Sequence, residues 1–184
     1  KLAVGSKGGL RYEIVATGRM AHSAYPELGE SAINKLLDAL AAIREIELPR
    51  NATLGASTLN IGTISGGRAP NVIADSAQAE VFIRLVDDGT STRAAVARAA
   101  ARHGVEAREV LCVPAMHLET VCGLDTTVVA FTTDIPAFDG SWGRPLLIGP
   151  GSIHVAHTER EHIRKRDLDD AVAIYKNMVR QLQS

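Results

Sequence analysis

The chain has 184 residues, enough to bury a sizeable core as one domain or as two small ones. Its 46% hydrophobic, 22% charged and 4% aromatic residues suit an α/β or α+β enzyme body built on Ala, Val, Leu and Ile rather than on rings. A net charge of −1, with no like-charge block longer than Arg164-Lys165-Arg166, excludes a basic field for nucleic acid or an anionic membrane, and no apolar run approaches the roughly 18 residues of a membrane span.

Residues 8–17 (GGLRYEIVAT) alternate as a strand, and Gly18, Pro26 and Gly29 put His22 on a loop. From Glu30, the apolar positions Ile33, Leu36, Leu37, Leu40 and Ile43 recur at three and four, which predicts a helix with one buried face that stops before Pro49. A second strand is expected over 53–64, a turn at Ser65-Gly66-Gly67, and a third strand over 72–86. In the third, Ala77, Ala79, Val81, Ile83 and Leu85 point one way while Gln78, Glu80 and Arg84 point the other, so one sheet face is core and the other is wet. An Ala/Arg-rich helix follows over 90–103, capped near Ser91 and closed by Gly104, and then a fourth strand over 105–113. The order βαββαβ is that of a ferredoxin-like unit, two helices on one face of a four-stranded antiparallel sheet.

After Pro114, residues 126–133 and 145–149 read as short buried-type strands, and a last helix begins at Asp167 with Leu168, Val172, Tyr175, Val179 and Leu182 at helical spacing. Two strands and one helix are too few to close a second core. This piece is therefore expected to be the remainder of a larger sheet whose other strands lie upstream of Lys1. The start at Lys1 rather than Met, without a secretory leader, is expected of a processed or truncated chain. Cys112 and Cys122 form neither a CxxC pair nor a disulfide framework, so both are read as reduced and the chain as cytoplasmic.

Several positions could carry chemistry, each beside a plainer reading. His22 is either a solvated loop side chain or a functional imidazole. The glycines of Gly149-Pro150-Gly151 either make a tight turn or let backbone N–H groups approach an anionic or carbonyl oxygen. His157, with His154 three residues before it, could bind a metal, but a hydrolytic zinc needs about three protein ligands plus water. Asn71 could cap a turn or reach a ligand. Arg84 could fork onto a carboxylate, or make a surface ion pair with Glu80 or a neighbouring strand.

Three blocks in fixed order join these positions. The first is Gly18-Arg19-Met20-Ala21-His22-Ser23 with Pro26, Gly29 and Ser31-Ala32-Ile33. The second runs from Gly66-Gly67 through Asn71-Val72-Ile73 to Arg84, and the third from Gly149-Pro150-Gly151 to Ala156-His157 with Glu161. Together they resemble the zinc peptidases and deacylases of family M20, which include acetylornithine deacetylase, succinyl-diaminopimelate desuccinylase, aminoacylase and bacterial glutamate carboxypeptidase. Ser31 stands where the family pattern commonly has Asn, and Ala74 where it has Pro.

The resemblance implies that residues 1–112 are a ferredoxin-like dimerisation lid and that 113–184 end a catalytic domain carrying two zinc ions. It implies a homodimer in which His22 reaches across to stabilise the oxyanion in the partner's site, a donor role typically worth roughly 3–4 kcal/mol. Asn71 and Arg84 would hold the substrate's backbone or α-carboxylate, the loop of Gly149, Gly151 and Ser152 would shape the pocket, and His157 would bind one zinc. The family's H-x-D, bridging Asp and Glu-Glu pair have no equivalent in the chain, so most metal ligands and the general base are missing and the chain alone is expected to be inactive. The implied substrate is a small N-acyl amino acid such as acetylornithine or acetylcitrulline, in arginine biosynthesis, or else a dipeptide or carboxypeptidase substrate. A non-catalytic dimerisation or amino-acid-binding module is the rival from another class.

Overall fold

The computed structural model describes residues 1–138 and 140–183, so that Asp139 and Ser184 of the expected C-terminal segment lie outside the described residues. Among the described residues, twelve strands and three α-helices form in chain order. The strands are β1 (Leu2–Ser6), β2 (Gly8–Thr17), β3 (Ala21–His22), β4 (Arg50–Asn51), β5 (Gly55–Ala56), β6 (Thr58–Gly66), β7 (Val72–Ile73), β8 (Ser76–Leu85), β9 (Glu106–Val113), β10 (Met116–His117), β11 (Thr126–Val129) and β12 (Leu147–Ile148). The helices are α1 (Ala32–Arg44), α2 (Thr90–Arg102) and α3 (Lys165–Leu182).

The period-two pattern of β8 sets the larger sheet. Ala77, Ala79, Val81, Ile83 and Leu85 are buried, and β2 adds Leu10, Tyr12, Ile14 and Ala16 to the same face. Helices α1 and α2 cover that face with Ala32, Leu36, Ala39, Leu40, Ile43, Val96 and Ala100. The strand order is β6-β8-β2-β9, antiparallel throughout, which gives the expected ferredoxin-like unit. Ser31 begins α1 as its N-cap, its hydroxyl accepting from Asn34 N at 3.2 Å. The cap expected near Ser91 for α2 lies instead at Gly89, which has φ +79° and no side-chain cap. Asp88 Oδ1 accepts from Thr90 N at 2.9 Å, and this backbone hydrogen bond holds the Asp88 carboxyl below its usual range.

Two departures from periodicity matter for function. The expected strand 72–86 breaks at Ala74-Asp75, because both carbonyls turn to other segments. Ala74 O accepts from Ala32 N and Asp75 O from Gly18 N, each at 2.8 Å. A Cβ on Gly18 would overlap the Glu30 carbonyl, so only glycine lets the His22 loop close on the start of α1.

The second departure is β1. Leu2–Ser6 lies within the segment 1–112 but pairs with none of the lid strands. It runs antiparallel to β10 and β12 and parallel to β11, at the centre of a second sheet, with Leu2 and Ala3 buried. Helix α3 begins at Lys165, two residues before the expected start, and buries Ala171 and Met178. The stripe Leu168, Val172, Tyr175, Val179 and Leu182 stays 40–60% exposed, since this small sheet covers only the adjacent face of the helix.

Candidate active-site cleft

The two sheets meet where β2 begins and β8 ends. Arg84, next to last in β8, faces Gly9 of β2 across the ladder on the wet side of the sheet. Its guanidinium lies over the ring of Phe82, 4.6 Å from the centroid, and Nη1 donates to Thr132 Oγ1 at 3.0 Å. The ion pair with Glu80 does not form, because Glu80 pairs with Arg11 at 2.7 Å. Among the described residues no Asp or Glu makes an ion pair with Arg84.

Arg84 borders an open cleft of about 1320 Å³, whose far wall is the segment after β12. Gly149, Gly151 and Ser152 all line it, so four of the sequence-derived site residues come together. Gly151 has φ +83° and requires glycine, whereas a Cβ on Gly149 would meet open space. The Ser152 hydroxyl caps the next turn by accepting from His154 N at 3.3 Å.

His157 stands just outside this group. It is the one non-glycine residue with positive φ (61°) among those described, and its N–H donates to Glu161 Oε2 at 2.8 Å. Such a conformation costs of order 1–3 kcal/mol and concentrates at functional positions. The His157 side chain is exposed and does not line the cleft, whereas His154, Glu161 and His162 do. Among the described residues no group of three or more His, Cys, Asp or Glu is arranged to hold a metal ion.

His22 and Asn71 belong to the opposite end of the lid. β3 pairs with β7, placing His22 against Val72, and Ser23 N donates to Asn71 O at 3.0 Å. Both side chains are exposed. His22 Nδ1 accepts from Ala24 N at 3.1 Å, so the neutral imidazole carries its proton on Nε2 and presents it as a donor. Along β8 the eight steps from Ser76 to Arg84 span about 26 Å at about 3.3 Å each, and His22 lies beyond the Ser76 end. Within one chain, therefore, His22 and Asn71 do not reach the Arg84 cleft.

Four of the displaced titratable groups, Tyr12, Arg93, Glu109 and Cys112, form a separate network at the β2–β9–α2 junction. Burial, with Glu109 3.4 Å away, pushes the Tyr12 hydroxyl up to about 12, and Arg93 holds Glu109 below its usual range through hydrogen bonds of 2.7 and 2.8 Å. Burial also raises the Cys112 thiol. These groups brace the fold away from the cleft.

Sequence reasoning missed Thr132 and Phe82, which hold the Arg84 guanidinium at the edge of the cleft. An aromatic at an outward position two before Arg84 was a usable signal for Phe82. For Thr132, in the loop after β11, no sequence signal existed.

Residues 4–108 match the family model described as the peptidase dimerisation domain of M20 peptidases. The chain is 39% identical over 180 residues to a peptidase M20 domain-containing protein of Schizosaccharomyces pombe, covering 97% of this chain and 45% of that protein. It is 42% identical over 198 residues to a probable carboxypeptidase of Aspergillus niger, covering 97% of this chain and 47% of that protein. The chain thus spans a little under half the length of these curated relatives. Among solved structures it resembles an aminopeptidase from Bacillus cereus (TM-score 0.70, 21% identity, 92% of this chain and 50% of the other). It also resembles a tripeptidase from Staphylococcus aureus (TM-score 0.71, 21% identity, 91% and 50%). At this identity the likeness is one of fold.

Proposed function

The chain belongs to the M20 peptidase family, and from that premise we propose that it supplies the dimerising lid and the C-terminal segment of a longer hydrolase, which cleaves an amide bond next to a free α-carboxylate. The observation that carries this reading is Arg84. A guanidinium without a carboxylate partner among the described residues, at the wall of a wide cleft, is suited to forked recognition of a substrate carboxylate. The loop of Gly149, Gly151 and Ser152 shapes the opposite wall. The division at 112/113 carries over with one adjustment, namely that Leu2–Ser6 go with the C-terminal segment because they pair there.

His22 donates through Nε2 to the oxyanion of the tetrahedral intermediate, and Asn71, its neighbour on the β3–β7 ribbon, contacts the substrate beside it. The separation of about 26 Å along β8 supports a role for both in the site of a second subunit. A homodimer through the lid provides that subunit, and the two sheet edges differ in their suitability for it. β9 carries Glu106, Arg108 and Glu109, the kind of charge that guards an edge. β6 carries no charged residue, and Ile64 on it and Leu37 on α1 are each about half exposed, so β6 is the pairing edge.

The family resemblance implies zinc, but the described residues of this chain do not fit a complete site. His157 is one ligand of a set completed outside the chain. Among the described residues, no helix is long and apolar enough to cross a membrane, and the two free cysteines suit a reducing, cytoplasmic setting.

An N-acyl amino acid such as acetylornithine and the C-terminal residue of a short peptide both present the required carboxylate. The probable carboxypeptidases among the relatives favour the peptide. The test is hydrolysis by the full-length enzyme of a dipeptide, of acetylornithine and of the C-terminally amidated dipeptide. Preference for acid over amide by at least about tenfold, lost in Arg84→Ala, is expected. Equal rates on acid and amide refute the carboxylate anchor, and no hydrolysis at all favours the non-catalytic module.

A further inference from the structure

We propose that Thr132 is the positioning residue that aims the Arg84 guanidinium into the cleft and so makes the cleft selective for a carboxylate. The proposal rests on the reading of Arg84 as the carboxylate anchor and adds the device that keeps it in place.

Arginine on the wet face of a strand is long and flexible, and its fork is selective only if its plane and direction are held. Phe82 supplies the plane, since its ring lies 4.6 Å beneath the guanidinium on the same strand face. A ring surface resists tilting but not rotation within the plane. Thr132 Oγ1 fixes that rotation by accepting from Nη1 at 3.0 Å, which leaves the remaining N–H donors for a ligand.

Gly9 makes the bracket possible. A Cβ there would lie 2.8 Å from Phe82 Cζ and 2.9 Å from Thr132 Oγ1, so ring and hydroxyl close over the strand only because the side chain is absent. Gly9, Phe82 and Arg84 come from the lid sheet and Thr132 from the segment after β11 of the other sheet. The Arg84–Thr132 bond therefore spans the junction between the two sheets. A neutral acceptor suits this post better than a carboxylate, which would satisfy Arg84 and compete with the ligand.

The test uses the 184-residue chain, with N-acetylglycine as the carboxylate probe and N-acetylglycinamide as its neutral counterpart, followed through the Arg84 Nε–H resonance of 15N-labelled protein. Wild type is expected to bind N-acetylglycine saturably and the amide much more weakly. Thr132→Val, nearly the same shape without the hydroxyl, is expected to raise the Kd for N-acetylglycine about tenfold, to leave amide binding unchanged and to narrow the Arg84 signal as the fork is freed. Thr132→Ser is expected to restore wild-type values, which a purely structural role for the methyl group would not do. Saturable binding by wild type with an unchanged Kd in Thr132→Val overturns the positioning role alone. No saturable Arg84 shift in wild type, or undiminished binding in Arg84→Met, overturns the carboxylate anchor and the positioning role with it.

Discussion

Mixing two inactive variants of the full-length enzyme tests directly the proposal that each active site is shared between two subunits. His22→Ala removes a donor to the oxyanion, a loss typically worth about 2.7–4 kcal/mol, so the homodimer should fall to about 1% of wild-type turnover or below. Arg84→Ala removes the carboxylate anchor and is expected to be similarly impaired on an acid substrate at low concentration. When the two are unfolded, mixed in equal amounts and refolded, about half of the dimers are heterodimers. If His22 serves the partner's site, each heterodimer holds one site with both residues intact and one with neither. Activity then recovers to about a quarter of wild type, at least about 25-fold above the His22→Ala parent. If His22 and Arg84 serve the same chain's site, no intact site exists in any dimer and the mixture stays at the parental level. The structural basis is the run of about 26 Å from Ser76 to Arg84, too long for any side chain to bridge. A mixture no more active than its parents, with heterodimers verified by differential tagging, refutes this reasoning.

Four further outcomes follow from named contacts. Ile64→Lys, on the uncharged edge strand at a position 54% exposed, should leave the lid folded but shift it from dimer to monomer in sedimentation velocity. Gly9→Ala should cost about 1–3 kcal/mol in denaturant unfolding, because the new methyl overlaps Phe82 and Thr132, whereas Gly149→Ala, which meets open space, should cost little. Tyr12, whose hydroxyl is raised from 10.0 to about 12, stabilises the fold in its neutral form. That contribution is complete below pH 10 and is lost as pH rises toward 12, and Tyr12→Phe should flatten the alkaline branch of a stability–pH curve. His157→Gly should leave unfolding free energy unchanged or raise it by up to ~1 kcal/mol, since glycine accepts φ +61° without strain, while abolishing activity in the full-length enzyme.

The lid was legible in the sequence because its signals are local. Period two in β8, spacing of three and four in α1 and the closing Gly104 each follow from one residue's preference or one face's burial, and they fixed the βαββαβ order before any contact was known. Legibility ended where partners are distant in sequence. LAVGS at residues 2–6 carries a glycine and no alternation, and it becomes a strand only because residues more than a hundred positions later supply its hydrogen bonds. The same limit applied to α3, whose sequence shows an apolar stripe but not which face the small sheet will cover.

The sequence by itself determined the lid fold and, through three ordered blocks, the membership in the family and the positions proposed for its chemistry. Only the tertiary structure decided how they group. Arg84 joins Gly149, Gly151 and Ser152 because two sheets abut at one end of β8, while His22 and Asn71 sit at the other end because the β3–β7 ribbon folds there. Residue order along a chain specifies neighbours within an element. Which ends of an antiparallel sheet receive which loops depends on pairing register and on packing between sheets, and these bring together residues that local pattern cannot relate.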